Sequence, residues 1–286
     1  MNRWGKGLLA ALIAFSLAGC AEVGTAEEQA AVAEMTSKET AAQNGVNPEA
    51  GLPAAGELID RIAEAGRGLN SYVQESQSWI STGVSPDDES ATFTSETTTT
   101  TEYILNPLQM YQKGSTIVAD MGPVIAESYL TDSGFYMYYD SYWRKMPVGL
   151  LEDIKMATQV QSDPVRRMEQ LKTILPYVTV SEEEGEYVLS ARLSGDQTKD
   201  LERFYKFQYS SEKLAIEQLS LVKRLSIEYR VNKQTYWPTG TDDEMVTEDL
   251  LNGQGTYREV KLKTSIGQYN TVKEIVIPQD ALKVEE

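Results

Sequence analysis

Alternation of apolar and polar residues constrains the fold of this chain more than any other feature. Leu225, Ile227, Tyr229 and Val231 alternate with polar side chains along one continuous segment. A period of two residues places successive side chains on opposite faces of a strand, and it predicts a half-buried antiparallel strand. Runs rich in Thr, Tyr and Val recur through most of the chain after residue 71. The sequence therefore predicts a large antiparallel sheet.

Turn residues divide these runs into hairpins. The clearest hairpin joins residues 127–131 to residues 135–139 through Asp132-Ser133-Gly134. Another joins residues 178–181 to residues 187–193. Further strands are predicted at residues 72–80, 90–105, 109–113, 116–121, 204–209, 235–239, 245–250, 257–265 and 275–277.

Three segments have helical periodicity instead. Apolar residues at three- and four-residue spacing predict helices over residues 54–69 and 148–159. A third helix is expected to begin with Asp163 as N-cap and Pro164 at the first helical position, and to end before Pro176. A mixture of meandering strands and a few helices predicts an α+β domain over residues 57–286.

The N-terminus has the features of a bacterial lipoprotein signal. Residues 1–19 contain a basic start and a short apolar run, and they end in Leu17-Ala18-Gly19 before Cys20. This order predicts cleavage before Cys20 and lipidation of its thiol. Residues 20–56 are then a flexible acidic tether, and the domain is held at the extracytoplasmic face of the cell membrane. A free cysteine in an ordinary signal peptide is the alternative interpretation.

Composition excludes several kinds of site. The 286 residues include no histidine and one cysteine, and their net charge is −17. Histidine-dependent triads, histidine-ligated metals and internal disulfides are therefore excluded. The excess of acidic residues argues against nucleic acid as a partner. No cofactor or metal is predicted.

Clusters of like charge are interpreted as solvated surface. The runs Asp87-Asp88-Glu89, Glu182-Glu183-Glu184 and Asp242-Asp243-Glu244 are predicted to lie in exposed turns. Asp196 and Asp200 resemble the start of a calcium loop, but the glycine and glutamate that an EF-hand requires are missing. Basic residues are expected on exposed faces or at a rim that meets an anionic head group; they are Arg166, Arg167, Lys223 and Arg224.

An ordered series of short motifs resembles those of uncharacterised Gram-positive lipoproteins related to LolA- and LppX-like carriers. The series includes Leu69-Asn70-Ser71-Tyr72, Trp143-Arg144-Lys145 and Thr235-Tyr236-Trp237-Pro238. It also includes Glu127-Ser128-Tyr129-Leu130-Thr131 with Gly134-Phe135-Tyr136, and Gln268-Tyr269-Asn270 before Glu274-Ile275-Val276-Ile277-Pro278. The resemblance implies a half-barrel, a large curved antiparallel sheet whose concave face is covered by helices. It also implies that an acyl chain or another hydrophobic ligand can lie between sheet and helices.

Aromatic and apolar residues in the middle of the chain are the candidates for lining such a cavity. The alternative is that they simply fill the core. The candidates are Tyr129, Phe135, Met137, Tyr139, Trp143, Leu151, Ile154, Met168, Leu171 and Leu175.

The sequence is consistent with three functions. The first is a lipid-anchored protein, not an enzyme, that binds or carries a lipid or other hydrophobic ligand. The second is a non-enzymatic envelope interaction protein with a filled core and an unknown protein partner. The third is a hydrolase that uses a pair of carboxylates, which would need two convergent buried acids.

Overall fold

The computed structural model describes residues 51–83, 93–118, 122–206, 216, 219–251 and 254–285. Within them lies a large open antiparallel sheet of eleven strands, as the alternation predicts. The strands are β1 (Ser71–Gly83), β2 (Phe93–Leu105), β3 (Leu108–Val118), β4 (Val124–Thr131), β5 (Gly134–Tyr139), β6 (Tyr142–Lys145), β7 (Val178–Glu183), β8 (Glu186–Ser194), β9 (Val222–Asn232), β10 (Pro238–Leu251) and β11 (Gln254–Gly267).

Two meanders make up the sheet. Strands β1 to β6 follow one another in space, and so do β7 to β11. The meanders are joined because β1 pairs with β11, from Val73 opposite Gly267 to Gly83 opposite Tyr257. The first and last strands are therefore neighbours at the centre of the sheet.

Four α-helices accompany the sheet in the described part of the chain. They are α1 (Ala55–Gly66), α2 (Leu151–Ser162), α3 (Pro164–Lys172) and α4 (Glu202–Lys206). The predicted start of α3 is confirmed, since the Asp163 carboxylate accepts a hydrogen bond of 2.8 Å from the Val165 N–H. None of the described helices has the length and apolar character needed to cross a membrane.

One face of the sheet packs against α2. Tyr72, Tyr103, Met110, Leu130 and Phe135 lie directly opposite one another across β1 to β5. Residues paired in this way point to the same side of a sheet. This row forms a hydrophobic cluster that includes Ile154 of α2. We call this side of the sheet the helix face.

A second hydrophobic cluster lies on the helix face of the other meander. Leu58 and Ile62 of α1 and Met168 of α3 are buried there with residues of β7 to β10, such as Leu189 and Ile227. Helices α1 and α3 thus share a core with the second half of the sheet. Burial of this apolar surface contributes about 25 cal/mol per Å² to folding.

The opposite side, which we call the outer face, is partly covered by the end of the chain. Tyr129 of β4 and Tyr136 of β5 are buried beneath Ile275, Ile277 and Ala281. The expectation that residues 275–277 form a strand is therefore wrong. Their apolar side chains pack on the tyrosines of the outer face, and these residues pair with no strand in the described sheet.

Other strand predictions also need correction. The segments 109–113 and 116–118 are not two strands, because β3 runs unbroken from Leu108 to Val118, and buried residues alternate along it with exposed or half-buried ones. Residues 119–121 of the second prediction lie outside the described residues. Of the predicted strand 204–209, residues 204–206 belong to α4 instead, and residues 207–209 lie outside the described residues. Leu201, just before α4, and Phe204 and Tyr205 within it are buried at helical spacing. Of the predicted strand 235–239, only residues 238 and 239 belong to a strand, the start of β10, because residues 233–235 form a turn before it.

The run Asp242-Asp243-Glu244 lies in the middle of β10 rather than in a turn. Each of the three residues pairs with a residue of β9 and one of β11. Because side chains alternate along the strand, Asp243 points to the helix face while its two neighbours point away. Pairing on both sides thus places one acid of this run inside the protein.

Candidate functional site

A small polar pocket lies between the two helix-face clusters. Its volume is about 40 Å³. It is bounded by Ser162 of α2, Arg167 of α3 and residues of β1, β9, β10 and β11, including Tyr229, Thr241 and Asp243. Every strand residue that lines it points to the helix face, so the pocket lies between the sheet and the helices.

A buried ion pair crosses this pocket. The Arg167 Nη2 atom lies 3.0 Å from Oδ2 of Asp243. Arg167 is 6% exposed and Asp243 is 3% exposed. The prediction that Arg167 lies on an exposed helix face is wrong, as is the prediction that Asp243 lies in a solvated turn. The pair joins α3 to the centre of the sheet.

The guanidinium of Arg167 has further partners in the interior. Its Nη1 donates to Oε1 of Gln170 at 2.7 Å, and Nε2 of Gln170 donates to the Phe204 carbonyl at 3.1 Å. The Cζ atom of Arg167 lies 5.9 Å from the centroid of the Phe204 ring. Three elements, α3, α4 and β10, are thus held by one polar network.

Two buried oxygen atoms at the pocket have no hydrogen-bond partner among the described residues. They are Oδ1 of Asp243 and Oγ of Ser162. The Ser162 carbonyl, by contrast, accepts a hydrogen bond of 2.7 Å from the Tyr72 hydroxyl. Buried polar atoms without partners are rare in folded proteins and are costly. These two atoms are therefore positioned to bind a water molecule or a polar group of a ligand.

Burial changes the acidity of the groups in this region. It raises the pKa of Asp243 to about 6, and Arg167 opposes that effect through its positive charge. Burial also raises the pKa values of the Tyr72 and Tyr229 hydroxyls, which keeps both side chains neutral. The carboxyl group of Asp243 can accordingly change its charge in mildly acidic solution.

The size of the pocket limits its occupant. A volume of about 40 Å³ admits a few water molecules at most, because each needs roughly 10–15 Å³ by this measure. An acyl chain needs more room than the pocket offers. A larger ligand at this position would require α2 and α3 to move away from the sheet.

The pocket offers little for metal binding or carboxylate catalysis. Asp243 is the one buried carboxylate among the described residues, and it is paired with an arginine. Within the same residues no three acidic or thiol side chains come together in a group that would hold a metal ion. Asp196 and Asp200 are exposed. The run Asp87-Asp88-Glu89 lies outside the described residues.

Five of the candidate cavity residues lie on the helix face of the first meander or next to it. Phe135 and Ile154 are buried in the same cluster, and Met137 and Leu151 pack against it. Tyr139 is buried beside Met137 in a small neighbouring cluster. The structure thus brings these five residues together near α2.

The other five candidates are divided between two places. Met168 and Leu171 of α3 are buried in the second helix-face cluster, with Leu175 packed against it. Tyr129 and Trp143 lie on the outer face, where their ring centroids are 5.8 Å apart. The ten candidates therefore do not surround a single cavity.

Sequence reasoning missed Arg167 and Asp243 as interior residues. One signal was available for Arg167, because it precedes Leu171 by four residues and so shares the apolar stripe of α3. For Asp243 no local signal distinguished a strand from a turn. Three consecutive acids are typical of exposed segments, and only pairing with β9 and β11 buries the middle one.

These features define a class of protein, an α+β domain built on a large open antiparallel sheet. Residues 54–286 match the model of DUF6612, a family of unknown function, and the chain belongs to that family. A comparison with curated proteins finds no significant match.

Several solved structures are similar to this chain at low sequence identity. LprF from Mycobacterium bovis has 12% identity and a TM-score of 0.40, covering 79% of this chain and 98% of its own. A DUF1329 family protein from Desulfovibrio piger has 11% identity and a TM-score of 0.27, covering 77% of this chain and 93% of its own. The MucA/MucB complex of Pseudomonas aeruginosa has 11% identity and a TM-score of 0.25, covering 82% of this chain and 62% of its own.

Proposed function

We propose that this chain is a membrane-anchored extracytoplasmic lipoprotein, not an enzyme, whose domain binds a hydrophobic ligand between the sheet and the helices. The ligand would have an apolar body and a polar group. The observation that carries the proposal is the polar pocket, in which Oδ1 of Asp243 and Oγ of Ser162 have no partner among the described residues.

The surroundings of the pocket suit a ligand of mixed character. Apolar clusters lie on both sides of it, one containing Tyr72 and Phe135 and the other containing Met168 and Leu171. Ligand sites are mostly apolar with a few polar groups that fix orientation. Burying the apolar body between these clusters would supply affinity, and the polar atoms would orient the ligand.

Binding in this way requires the helices to separate from the sheet. The contacts that would open include the Arg167–Asp243 pair and the hydrogen bond from Tyr72 to the Ser162 carbonyl. In this proposal the sheet is a half-barrel, α2 and α3 cover its concave face, and their contacts with the sheet control access. The lipid on Cys20 would keep the domain at the membrane.

Native mass spectrometry of residues 21–286, produced without the anchor, tests the proposal. A mass excess that organic solvent removes is the expected result. The variant Ser162→Ala should reduce that excess, because it removes one of the two free oxygens. Ser190→Ala, on β8, is the matched control. A bare mass under all conditions, together with no uptake of added fatty acid, would contradict the proposal.

A second candidate is an envelope interaction protein with a filled core. The small volume of the interior pocket, about 40 Å³, favours it. In that case the interior serves stability alone, and an exposed face contacts the partner. The same mass measurement separates the two functions, since a filled core retains no lipid.

A further inference from the structure

A shallow groove runs along the outer face at the centre of the sheet. It consists of two adjoining depressions of about 540 Å³ each. Along β1 it extends from Glu75 to Ser81, which corresponds to about 20 Å of strand. Strands β11, β2, β3 and β4 supply the remaining side chains. We call this feature the outer groove.

Apolar side chains are exposed in the outer groove. Trp79 is 37% exposed, Ile117 is 55% exposed and Ile125 is 54% exposed. Trp79 and Ile117 lie in one row across the sheet, because each is directly opposite Glu96. An exposed indole on a sheet face presents a flat apolar surface to a ligand.

The end of the chain covers the neighbouring part of the outer face, whereas among the described residues the apolar side chains of this groove remain exposed. Ile275, Ile277 and Ala281 pack on Tyr129 of β4 and Tyr136 of β5. Trp79 and Ile117 stay exposed although they belong to the same side of the sheet. Apolar residues on this face are therefore covered in one region and open to solvent in the other.

The charges in the groove are balanced. Three lysines and three glutamates line the two depressions, namely Lys113, Lys261, Lys263, Glu75, Glu96 and Glu259. The net charge of the whole chain is −17. A groove with no net charge in so acidic a protein offers no electrostatic attraction to an anionic head group or a basic partner. Its balance instead suits a neutral ligand.

Hydroxyl and amide groups fill the space between the charged residues. Gln77, Ser81, Thr94, Thr98 and Ser115 point to the outer face along β1, β2 and β3. These side chains both donate and accept hydrogen bonds. They are spaced along strands, so a ligand with hydroxyl groups at regular intervals would meet a partner at each step.

We propose that the outer groove binds a neutral oligosaccharide, with one sugar ring stacked on the indole of Trp79. The C–H face of a sugar ring packs on an aromatic surface, and its hydroxyls bond to Thr, Gln and Glu side chains. An acyl chain is a poorer fit, because Trp79, Ile117 and Ile125 are separated by polar residues. This inference is independent of any ligand between the sheet and the helices.

Titration calorimetry with the full chain tests the inference, using a detergent that has no sugar head group. The probes are soluble hexasaccharides of β-1,4-glucose, α-1,4-glucose, β-1,3-glucose and β-1,4-N-acetylglucosamine. At least one should bind with a Kd below about 1 mM. Trp79→Ala should raise that Kd at least about tenfold, and Trp79→Phe should have a smaller effect because a ring remains.

Phe93→Ala is the matched control. Phe93 is an exposed aromatic residue on the neighbouring strand, and it lies on the helix-face side. The substitution Phe93→Ala should leave the Kd for the sugar unchanged within about twofold. Failure of all four sugars to bind, or equal binding by Trp79→Ala, would overturn the inference. Self-association that is lost in Trp79→Ala, without sugar binding, would also overturn it and assign the groove to a second copy of the chain.

Discussion

Nη2 of Arg167 and Oδ2 of Asp243 lie 3.0 Å apart in the interior of the protein. These residues are separated by 76 positions in the chain. Their contact joins a helix of the middle segment to a strand at the centre of the sheet. Since a buried charge is costly without its partner, the two side chains stabilise the domain as a unit.

Arg167→Met should be strongly destabilising, because it leaves Asp243 buried without its positive partner. The expected loss in the free energy of unfolding is about 3–5 kcal/mol, measured by urea denaturation. Arg166→Met is the control, since Arg166 forms an exposed pair with Glu169 and should change stability by less than about 1 kcal/mol. Equal effects of the two variants would contradict the importance of the buried pair.

Asp243→Asn should change how stability depends on pH. The folded pKa of Asp243 is about 6, above its ordinary value of 3.8, so between these values the folded chain holds a proton that the unfolded chain has released. The stability contributed by Asp243 is then full below about pH 4 and is lost as the pH rises through 6.

The measurement is the free energy of unfolding of the wild type minus that of Asp243→Asn. From pH 7 to pH 4 this difference should increase by about 2 kcal/mol. Asp242→Asn, the adjacent residue on the opposite face, is the control. A difference that stays constant, or falls on acidification, would show that Asp243 is not buried in this way.

Gly240→Ala should destabilise the sheet because there is no space for a side chain. A Cβ atom at this position would lie 2.6 Å from the carbonyl oxygen of Thr264. Relieving that contact requires a backbone shift between β10 and β11, at a cost of about 1–3 kcal/mol. Gly149→Ala, where nothing lies within 4 Å, should be close to neutral. Thermal unfolding of both variants provides the comparison.

Asp163→Ala should weaken the start of α3. It removes the acceptor for the Val165 N–H, which is bonded at 2.8 Å, and such a loss typically costs about 1 kcal/mol. Asp163→Asn keeps an acceptor oxygen and should lower the free energy of unfolding by only a few tenths of a kcal/mol. If both variants lose the same stability in chemical denaturation, the cap contributes little.

Cys20→Ala should abolish lipidation. In a bacterial host supplied with labelled palmitate, the wild-type chain should take up label and the variant should accumulate as unprocessed precursor. Ser16→Ala, within the apolar run that precedes the cleavage site, should be labelled normally. Labelled Cys20→Ala protein would refute the proposed anchor.

Local patterns were sufficient for much of the fold. Alternation at Leu225 to Val231 predicts β9, and the Asp132-Ser133-Gly134 turn predicts the hairpin of β4 and β5; both are confirmed. The Asp163-Pro164 pair predicts the start of α3. Each signal depends on neighbours within a few residues, so it can be read without the rest of the chain.

The site depends on contacts between distant residues. The sequence predicts both Tyr129 and Phe135 as cavity-lining aromatic residues, yet they lie on opposite faces of the sheet. Asp243 is inside because β9 and β11 pair on either side of β10, and Arg167 is inside because α3 packs against that face. Sequence alone thus determined most of the strands and helices, although not every one. Only the tertiary structure decided which face and which charges are buried, because burial depends on pairing across the sheet rather than on local residue order.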